Sequence, residues 1–321
     1  MKVLLVSGRW ASNFEKSENF GTLKRLTEVE TIDTMDQQMI KQNARDVDIL
    51  ITGGTPISAE VINSAEKLKM IQVTSVGYDH VDEAAAIANG VVICNVAEAN
   101  ANSVVELCFG MTLDLARRIS AHDRLMRAGG WGRVEMERQI EIRHKTLGIV
   151  GFGAIGSRMA QIGNAFEMRI LAYDPYIIGE RADQLGAKLV DLATLLKESD
   201  VITIHVPLNE ETWHMISEKE FALMKPTAIF INASRGPVVD EQALIKVLQE
   251  NRIGGAGLDV FEEEPLPEES PLRKLENVVI VPHIGSSSEA LAHMTDVAIA
   301  NVILVAEGKE PMRIKTPEVY Y

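Results

Sequence analysis

Short runs rich in β-branched residues recur along the whole chain, separated by stretches of helical periodicity. In the first hundred residues they are "VLLV" at 3–6, "DILIT" at 48–52, "MIQVTS" at 70–75 and "VVICN" at 91–95. Runs this apolar, bounded by Gly, Asp or Asn, are strands buried on both faces. Between them lie helical stretches such as "SAEVINSAEKL" (58–68) and "HVDEAAAIANG" (80–90). Strand–helix alternation of this kind dictates a parallel α/β sheet, because parallel neighbours need a crossover between them.

A second series follows Gly130: "TLGIVG", "RILAYD", "VITIHV", "AIFINAS", "GAGLDV" and "VVIVPH". Six strand-like runs with helical segments between most of them describe a complete doubly wound sheet. A chain of 321 residues is too long for one hydrophobic core, so two domains are expected. Between the two series, Ser103 and Glu106 have the spacing of a capping box, in which each side chain takes the other's backbone amide. From there Val104, Leu107, Cys108, Met111, Leu115 and Ile119 keep one apolar face until Gly129-Gly130. The pattern predicts one helix of about 25 residues, a spine between domains or a long core helix.

Charge limits the partners. A formal net charge of −14 disfavours nucleic acid and anionic lipid, both of which require a basic surface. No continuous apolar run reaches the length of a membrane span, and "MKVLLVSGRW" breaks too early for a secretion signal and reads as a first strand. Cys94 and Cys108 sit in apolar stretches with no metal-ligand spacing, so no metal site is expected and free thiols in a reducing cytoplasm are. An anionic ligand would then need local positive charge or backbone N–H groups from its own site.

Residues 148–160, "GIVGFGAIGSRMA", carry the spacing G-x-G-x-x-G at Gly151, Gly153 and Gly156. The first Gly allows the tight turn, the second lets a pyrophosphate approach the backbone, and the third lets helix and strand touch. By itself the spacing is a weak signal, but here a strand precedes it, a helix follows, and a second strand ends in Asp174. That acid lies about 20 residues on, where a carboxylate grips the adenosine ribose hydroxyls and repels the 2′-phosphate of NADP. Pro175, Tyr176 and Ile177 follow it with no Arg. The expected cofactor is NAD.

Three further segments carry reactive groups past strand ends, where ligands of such sheets bind: "INASRGPVVDE" with Arg235, "GLDVFEEEP" with Asp259 and Glu264, and "VPHIGSSS" with His283. His is the side chain whose ordinary pKa lies near neutrality, a hydrogen-bonded carboxylate would favour its charged form, and Arg presents a planar fork to a carboxylate. Read alone, His283 also suits a core histidine, Glu264 a solvated acidic run with Glu262 and Glu263, and Arg235 a turn cap. Spacing does not choose between these readings.

The chain resembles the D-isomer-specific 2-hydroxyacid dehydrogenases along nearly its whole length. The matching stretches are "SVGYDHVD" (75–82), "NANSVVEL" (100–107), the Gly loop, "HVPLNEET" (205–212), "NASRGPVVDE" (232–241), "GLDVFEEEP" (257–265) and "PHIGSSS" (282–288). The resemblance implies a Rossmann-type doubly wound domain, residues 100–289, inserted into a smaller flavodoxin-like substrate domain, residues 1–99 and 290–321. It implies hydride transfer between NAD and a small anionic 2-hydroxy or 2-keto acid, with Arg235 binding substrate, His283 as acid/base and Glu264 tuning His283. Backbone amides near Val76 and Gly77 would hold the substrate carboxylate.

It further implies that Ala154 and Ile155 join the three glycines and Asp174 around the cofactor, together with His205, Val206 and Pro207. Ala233, Ser234, Asp259 and Gly285 would complete the cofactor site, with Asp259 on the nicotinamide carboxamide. A homodimer through the long helix and its flanks is implied as well. The loop "TGGTPIS" (52–58) has no basic residue, which disfavours a phosphorylated substrate such as 3-phosphoglycerate. Glu264 departs from formate dehydrogenases, and Val76 from the Lys of phosphite dehydrogenases. The leading expectation is a glyoxylate or hydroxypyruvate type of reductase. Phosphoglycerate dehydrogenase and an NAD(H)-sensing corepressor-like binding protein are the alternatives.

Overall fold

A computed structural model describes residues 1–6, 11–133, 139–177 and 179–316. The chain divides into two compact units, Met1–Asn100 with Ser286–Tyr321, and Ala101–Gly285. Its fold is the α/β class expected.

In the first unit, β1 (Lys2–Val6), β2 (Glu28–Ile32), β3 (Ile49–Thr52), β4 (Met70–Val73) and β5 (Val92–Cys94) form one sheet in the order β2-β1-β3-β4-β5. Every pairing is parallel, and the order is that of flavodoxin-like sheets. Successive side chains serve opposite faces. Leu4, Val6, Leu50 and Ile71 join one core cluster, and Val3, Leu5, Ile49 and Met70 join the other. Strand β2 has no apolar run to betray it. Its sequence, Glu28-Val29-Glu30-Thr31-Ile32, belongs to an edge strand that is mostly solvated.

The helix Ser288–Ala306 contributes Ile299 and Val302 to the second of these clusters. Among the described residues it alone is long and apolar enough to cross a membrane by length and composition. Its buried stripe instead carries a polar network: Asn301 Nδ2 donates to Gln72 Oε1 at 2.6 Å, and Asn301 Oδ1 accepts from the Met312 amide at 2.6 Å. Satisfied buried polar groups of this kind belong to a protein core.

The second unit holds β6 (Thr146–Val150), β7 (Arg169–Tyr173), β8 (Ala187–Leu189), β9 (Val201–Ile204), β10 (Ile229–Asn232), β11 (Gly255–Leu258) and β12 (Val278–Ile280). They run parallel in the order β12-β11-β10-β9-β6-β7-β8. The winding reverses between β6 and β9, the switch point at which such sheets receive ligands. All six expected strands are present. The seventh, β8, is a three-residue edge strand too short to register as a run.

The predicted spine helix is in fact two helices, Ala101–Arg117 and Ile119–Arg127. Arg118 between them has φ +56°, a left-handed conformation that no α-helix continues through. The Asp114 carboxylate accepts the Ser120 amide at 2.7 Å and bonds the Ser120 hydroxyl, capping the second helix from within the first. Ile119 thereby leaves the apolar face and is 55% exposed. The capping box is also displaced. The first helix begins at Ala101, so Ser103 is its third residue and not its cap. Both cysteines are buried and unbridged, and burial pushes each thiol up to about 12.

Candidate active site

Each cofactor or catalytic residue expected in the second unit lies on it just beyond the C-terminal end of a strand. Past β6, Gly151 has φ +88°, and a Cβ there would stand 2.5 Å from the His205 carbonyl oxygen. A Cβ on Gly156 would stand 2.1 Å from the Gly151 oxygen. Gly153 is the opposite case. It caps the helix Ala154–Ala165, and a Cβ built on it meets nothing within 4 Å. Open space thus stands before a helix N-terminus whose first amides, with the positive end of the helix dipole, suit a pyrophosphate.

Past β7, Asp174 is bound to this turn. The Phe152 amide donates to its Oδ2 at 2.8 Å and the Tyr176 amide to its Oδ1 at 2.9 Å. Each carboxylate oxygen keeps a lone pair for a ribose hydroxyl. Past β9, the His205 amide donates to the Val150 carbonyl at 2.7 Å, and Val206 borders Gly151. His205 Nε2 pairs with Thr203 Oγ1 at 2.9 Å, and burial pulls its pKa down to about 3, so the ring stays neutral. Pro207 is exposed beside it. The residues present fit a dinucleotide.

The residues expected to form the acid/base set lie past three more strand ends. Past β10, buried Asn232 shapes the turn: its Oδ1 accepts from Ser234 N at 3.1 Å and Ser234 Oγ at 2.9 Å, and its Nδ2 donates to the Arg235 carbonyl at 2.9 Å. Ala233 lies within that turn, and Arg235 Nη1 donates to the Ser234 carbonyl at 2.8 Å. Past β11, the Asp259 carboxylate accepts Ile284 N at 2.6 Å and Gly285 N at 2.9 Å. Its carbonyl accepts the His283 amide at 3.0 Å. These bonds brace His283, whose φ is +52°, a conformation an L-residue adopts only under such constraint.

Glu264 reaches His283 across two loops. Its Oε2 lies 2.8 Å from His283 Nδ1, and its Oε1 accepts the Phe261 amide at 3.1 Å. The hydrogen bond to Glu264 raises the pKa of His283 above its ordinary value. Burial opposes the rise, the charges of Glu264 and Asp259 add to it, and Arg235 opposes it. For Glu264, burial acts upward, but the His283 bond and charge, the Phe261 amide and Arg235 outweigh it and the carboxyl is lowered. Arg235 is therefore an electrostatic neighbour of both. Burial raises Asp259, against the pull of the Ile284 and Gly285 amides and of His283. With Nδ1 held by a carboxylate, His283 keeps Nε2 for a proton in transit.

Val76 and Gly77 belong to the first unit, in the loop after β4. The carbonyls of Ser75, Val76 and Gly77 accept from Val96 N (3.3 Å), Asn95 Nδ2 (2.7 Å) and Ser75 Oγ (2.6 Å). In a trans peptide the N–H points opposite its C=O. The Val76 and Gly77 amides, which share peptides with the Ser75 and Val76 carbonyls, therefore face away from Val96 N and Asn95 Nδ2.

Two features escaped the sequence reading. Asn232 shapes the Arg235 turn, and its signal was available: an Asn closing an apolar strand run with a Ser two residues on is an Asx turn. The other is His214, whose Nε2 lies 2.8 Å from Glu262 Oε1; no spacing joins residues so far apart.

The sequence profile described as D-isomer specific 2-hydroxyacid dehydrogenase, NAD binding domain, matches residues 109–285. This chain belongs to that family. It is an NAD-dependent oxidoreductase. It is 44% identical to a glyoxylate reductase of Thermococcus litoralis over 289 residues, 88% of this chain and 87% of the relative. A D-3-phosphoglycerate dehydrogenase of Methanocaldococcus jannaschii is 40% identical over 88% of this chain, but that match covers only 54% of the relative. Among solved structures, a glyoxylate reductase from Paecilomyes thermophila superposes with a TM-score of 0.89 at 27% identity, covering 99% of both chains.

Proposed function

We propose that this protein reduces a small 2-keto acid of the glyoxylate or hydroxypyruvate type to the D-2-hydroxy acid with NADH. The Glu264–His283 pair beside Arg235 is the observation that carries the reading. The first unit is the substrate-binding domain and the second the NAD-binding domain. When bound, the nicotinamide supplies the hydride to the carbonyl carbon.

The protein's own groups do the rest. Arg235 offers its fork to the substrate's carboxylate and carbonyl oxygens, supplying local positive charge in a chain that is acidic overall. The Val76 and Gly77 amides take the carboxylate. His283, charged because Glu264 holds Nδ1, gives a proton from Nε2 to the carbonyl oxygen as that oxygen becomes an alkoxide. In the oxidation direction it takes the proton back. Gly151, Gly153, Ala154, Ile155 and Gly156 hold the pyrophosphate, and Asp174 holds the ribose. His205, Val206, Pro207, Ala233 and Ser234 border the rest of the cofactor, with Asp259 and Gly285 at the nicotinamide end.

The substrate class draws support from the relatives named glyoxylate reductase and from the loop 52–58, which has no Lys or Arg. A cytoplasmic homodimer completes the reading. The helix Ile119–Arg127 buries none of its residues, and Ile119 and Met126 on it and Trp131 shortly after it are exposed. A helix that buries no residue yet exposes apolar side chains supports an interaction surface there. Initial rates of NADH and NADPH oxidation with glyoxylate, hydroxypyruvate, pyruvate, 2-ketoisocaproate and phosphohydroxypyruvate test the substrate. The largest kcat/KM is expected with NADH and glyoxylate or hydroxypyruvate. Tight NADH binding without turnover on any of them would instead favour an NADH-sensing protein.

A further inference from the structure

The loop that presents Glu264 has little packing of its own. Phe261 is buried and Leu266 partly buried against the core, but Glu262, Glu263 and Glu264 between them are exposed. Something must fix the carboxylate that pairs with His283. Glu262 is bound from two other segments at once. Its Oε1 accepts the Glu241 amide at 3.0 Å and pairs with His214 Nε2 at 2.8 Å. In return, the Glu262 amide donates to Glu241 Oε2 at 3.1 Å.

Both partners continue into the Arg235 turn. Glu241 is the first residue of the helix Glu241–Gln249, so its amide is one that the helix leaves unpaired and its dipole favours a carboxylate there. The His214 amide donates to the Pro237 carbonyl at 2.9 Å, and Ile216 pairs with Val239 in a one-residue parallel bridge. Gly236, next to Arg235, lies so close that a Cβ on it would stand 1.8 Å from the Phe261 carbonyl oxygen and 2.5 Å from the Glu262 amide. Three segments, around 214, 235–241 and 261–264, are thus fastened together at Glu262.

We propose that Glu262 is a positioning residue: with His214 and Glu241 it locks the Glu264 loop to the Arg235 turn and so sets the Glu264–His283 contact. The inference rests on the acid/base reading of His283. Exposed polar contacts of this sort contribute little to stability, whereas catalysis is sensitive to displacements of an ångström. The role of Glu262 is one of geometry. A Gln in its place keeps the side-chain acceptor, and an Ala does not.

The test uses the full-length protein and the variants Glu262→Ala, Glu262→Gln and His283→Ala, with glyoxylate or hydroxypyruvate reduction, NADH affinity by fluorescence, and melting temperature. Glu262→Ala is expected to lower kcat by about tenfold and to move the high-pH limb of kcat/KM to lower pH, because a slack Glu264 no longer supports the charged imidazole. NADH affinity and melting temperature should stay at the wild-type values, and Glu262→Gln should recover most of the rate. Wild-type kcat and pH limb in Glu262→Ala, with His283→Ala inactive, would overturn the inference and leave the acid/base reading standing. Parallel losses of melting temperature and NADH affinity would overturn it in favour of general structural damage. Full activity in His283→Ala would remove the acid/base reading and this inference with it.

Discussion

Gly151 to Gly156 form the proposed cofactor turn from six consecutive residues, whereas Arg235, Glu264 and His283, the proposed acid/base set, come from three loops that meet only in the folded unit. Both groups stand at strand ends of the same parallel sheet, and the difference lies in what holds them. The turn is dictated by backbone contacts: Gly151 against the His205 carbonyl, Gly156 against the Gly151 carbonyl. The acid/base set is dictated by side chains reaching between loops, Glu264 to His283 and Asp259 to the Ile284 and Gly285 amides. A turn of the first kind is suited to binding. The second kind can be tuned, because the charge states of Glu264 and His283 depend on each other and on the Arg235 charge beside them.

The sharpest way to separate the two is to remove one member of each. His283→Ala should lower kcat for 2-keto acid reduction by about 10²–10⁴-fold, the usual contribution of a positioned proton donor, with NADH affinity unchanged. Gly156→Ala should do the reverse. Its methyl group meets backbone and not a flexible side chain, so helix and turn must part, with NADH binding about tenfold or more weaker and stability lowered by roughly 1–3 kcal/mol. Equal losses of NADH affinity in the two variants would dissolve the distinction between them.

That distinction also governs what the sequence revealed. The glycine turn was legible because Gly151 and Gly156 are each required by a close backbone contact, on the neighbouring strand end or a few residues away, and Gly153 by the open approach in front of the helix. Asp174 was legible because the length of one βα unit fixes where the following strand ends. The Glu264–His283 contact was not legible from spacing, since an acidic run and a lone histidine carry no record of how the loops close; only resemblance joined them. The helix break at Arg118 was hidden for a related reason. Asp114 and Ser120 interact across the break, while the apolar periodicity runs through it undisturbed. The edge strands β2 and β8 escaped because a strand exposed to solvent needs no apolar run.

Asp174 tests the cofactor side at smaller amplitude. A charged acceptor is worth about 1.5–3 kcal/mol to a hydrogen-bonded partner, so Asp174→Ala should weaken NADH binding by roughly 10- to 100-fold. NADPH binding should improve or hold, because the repulsion of its 2′-phosphate is gone. Titration of both nucleotides by fluorescence reads the ratio directly. An unchanged NADH to NADPH ratio would mean that the acid does not face the ribose.

The smallest effect is the most specific to the acid/base set, and it is read as a function of pH. Pairing with Glu264 raises the pKa of His283 above 6.5, against burial and the Arg235 charge. Reduction needs the imidazolium, so kcat/KM should be level below that raised value and fall tenfold per pH unit above it; oxidation should rise over the same range. The stability that the pair adds is fully present below the unfolded pKa of His283 and is lost as pH rises through the folded one. For Glu264, lowered from 4.5, the contribution is present above the unfolded value and is lost as pH falls through the folded one. Both partners are charged between these limits, and the working range of the reductase should lie there. Glu264→Gln keeps a neutral acceptor and removes the charge, so the high-pH limb of kcat/KM should move to lower pH while NADH affinity stays constant. A limb that stays in place would show that His283 owes its charge to Asp259, the other carboxylate acting on it, and not to the residue its ring touches.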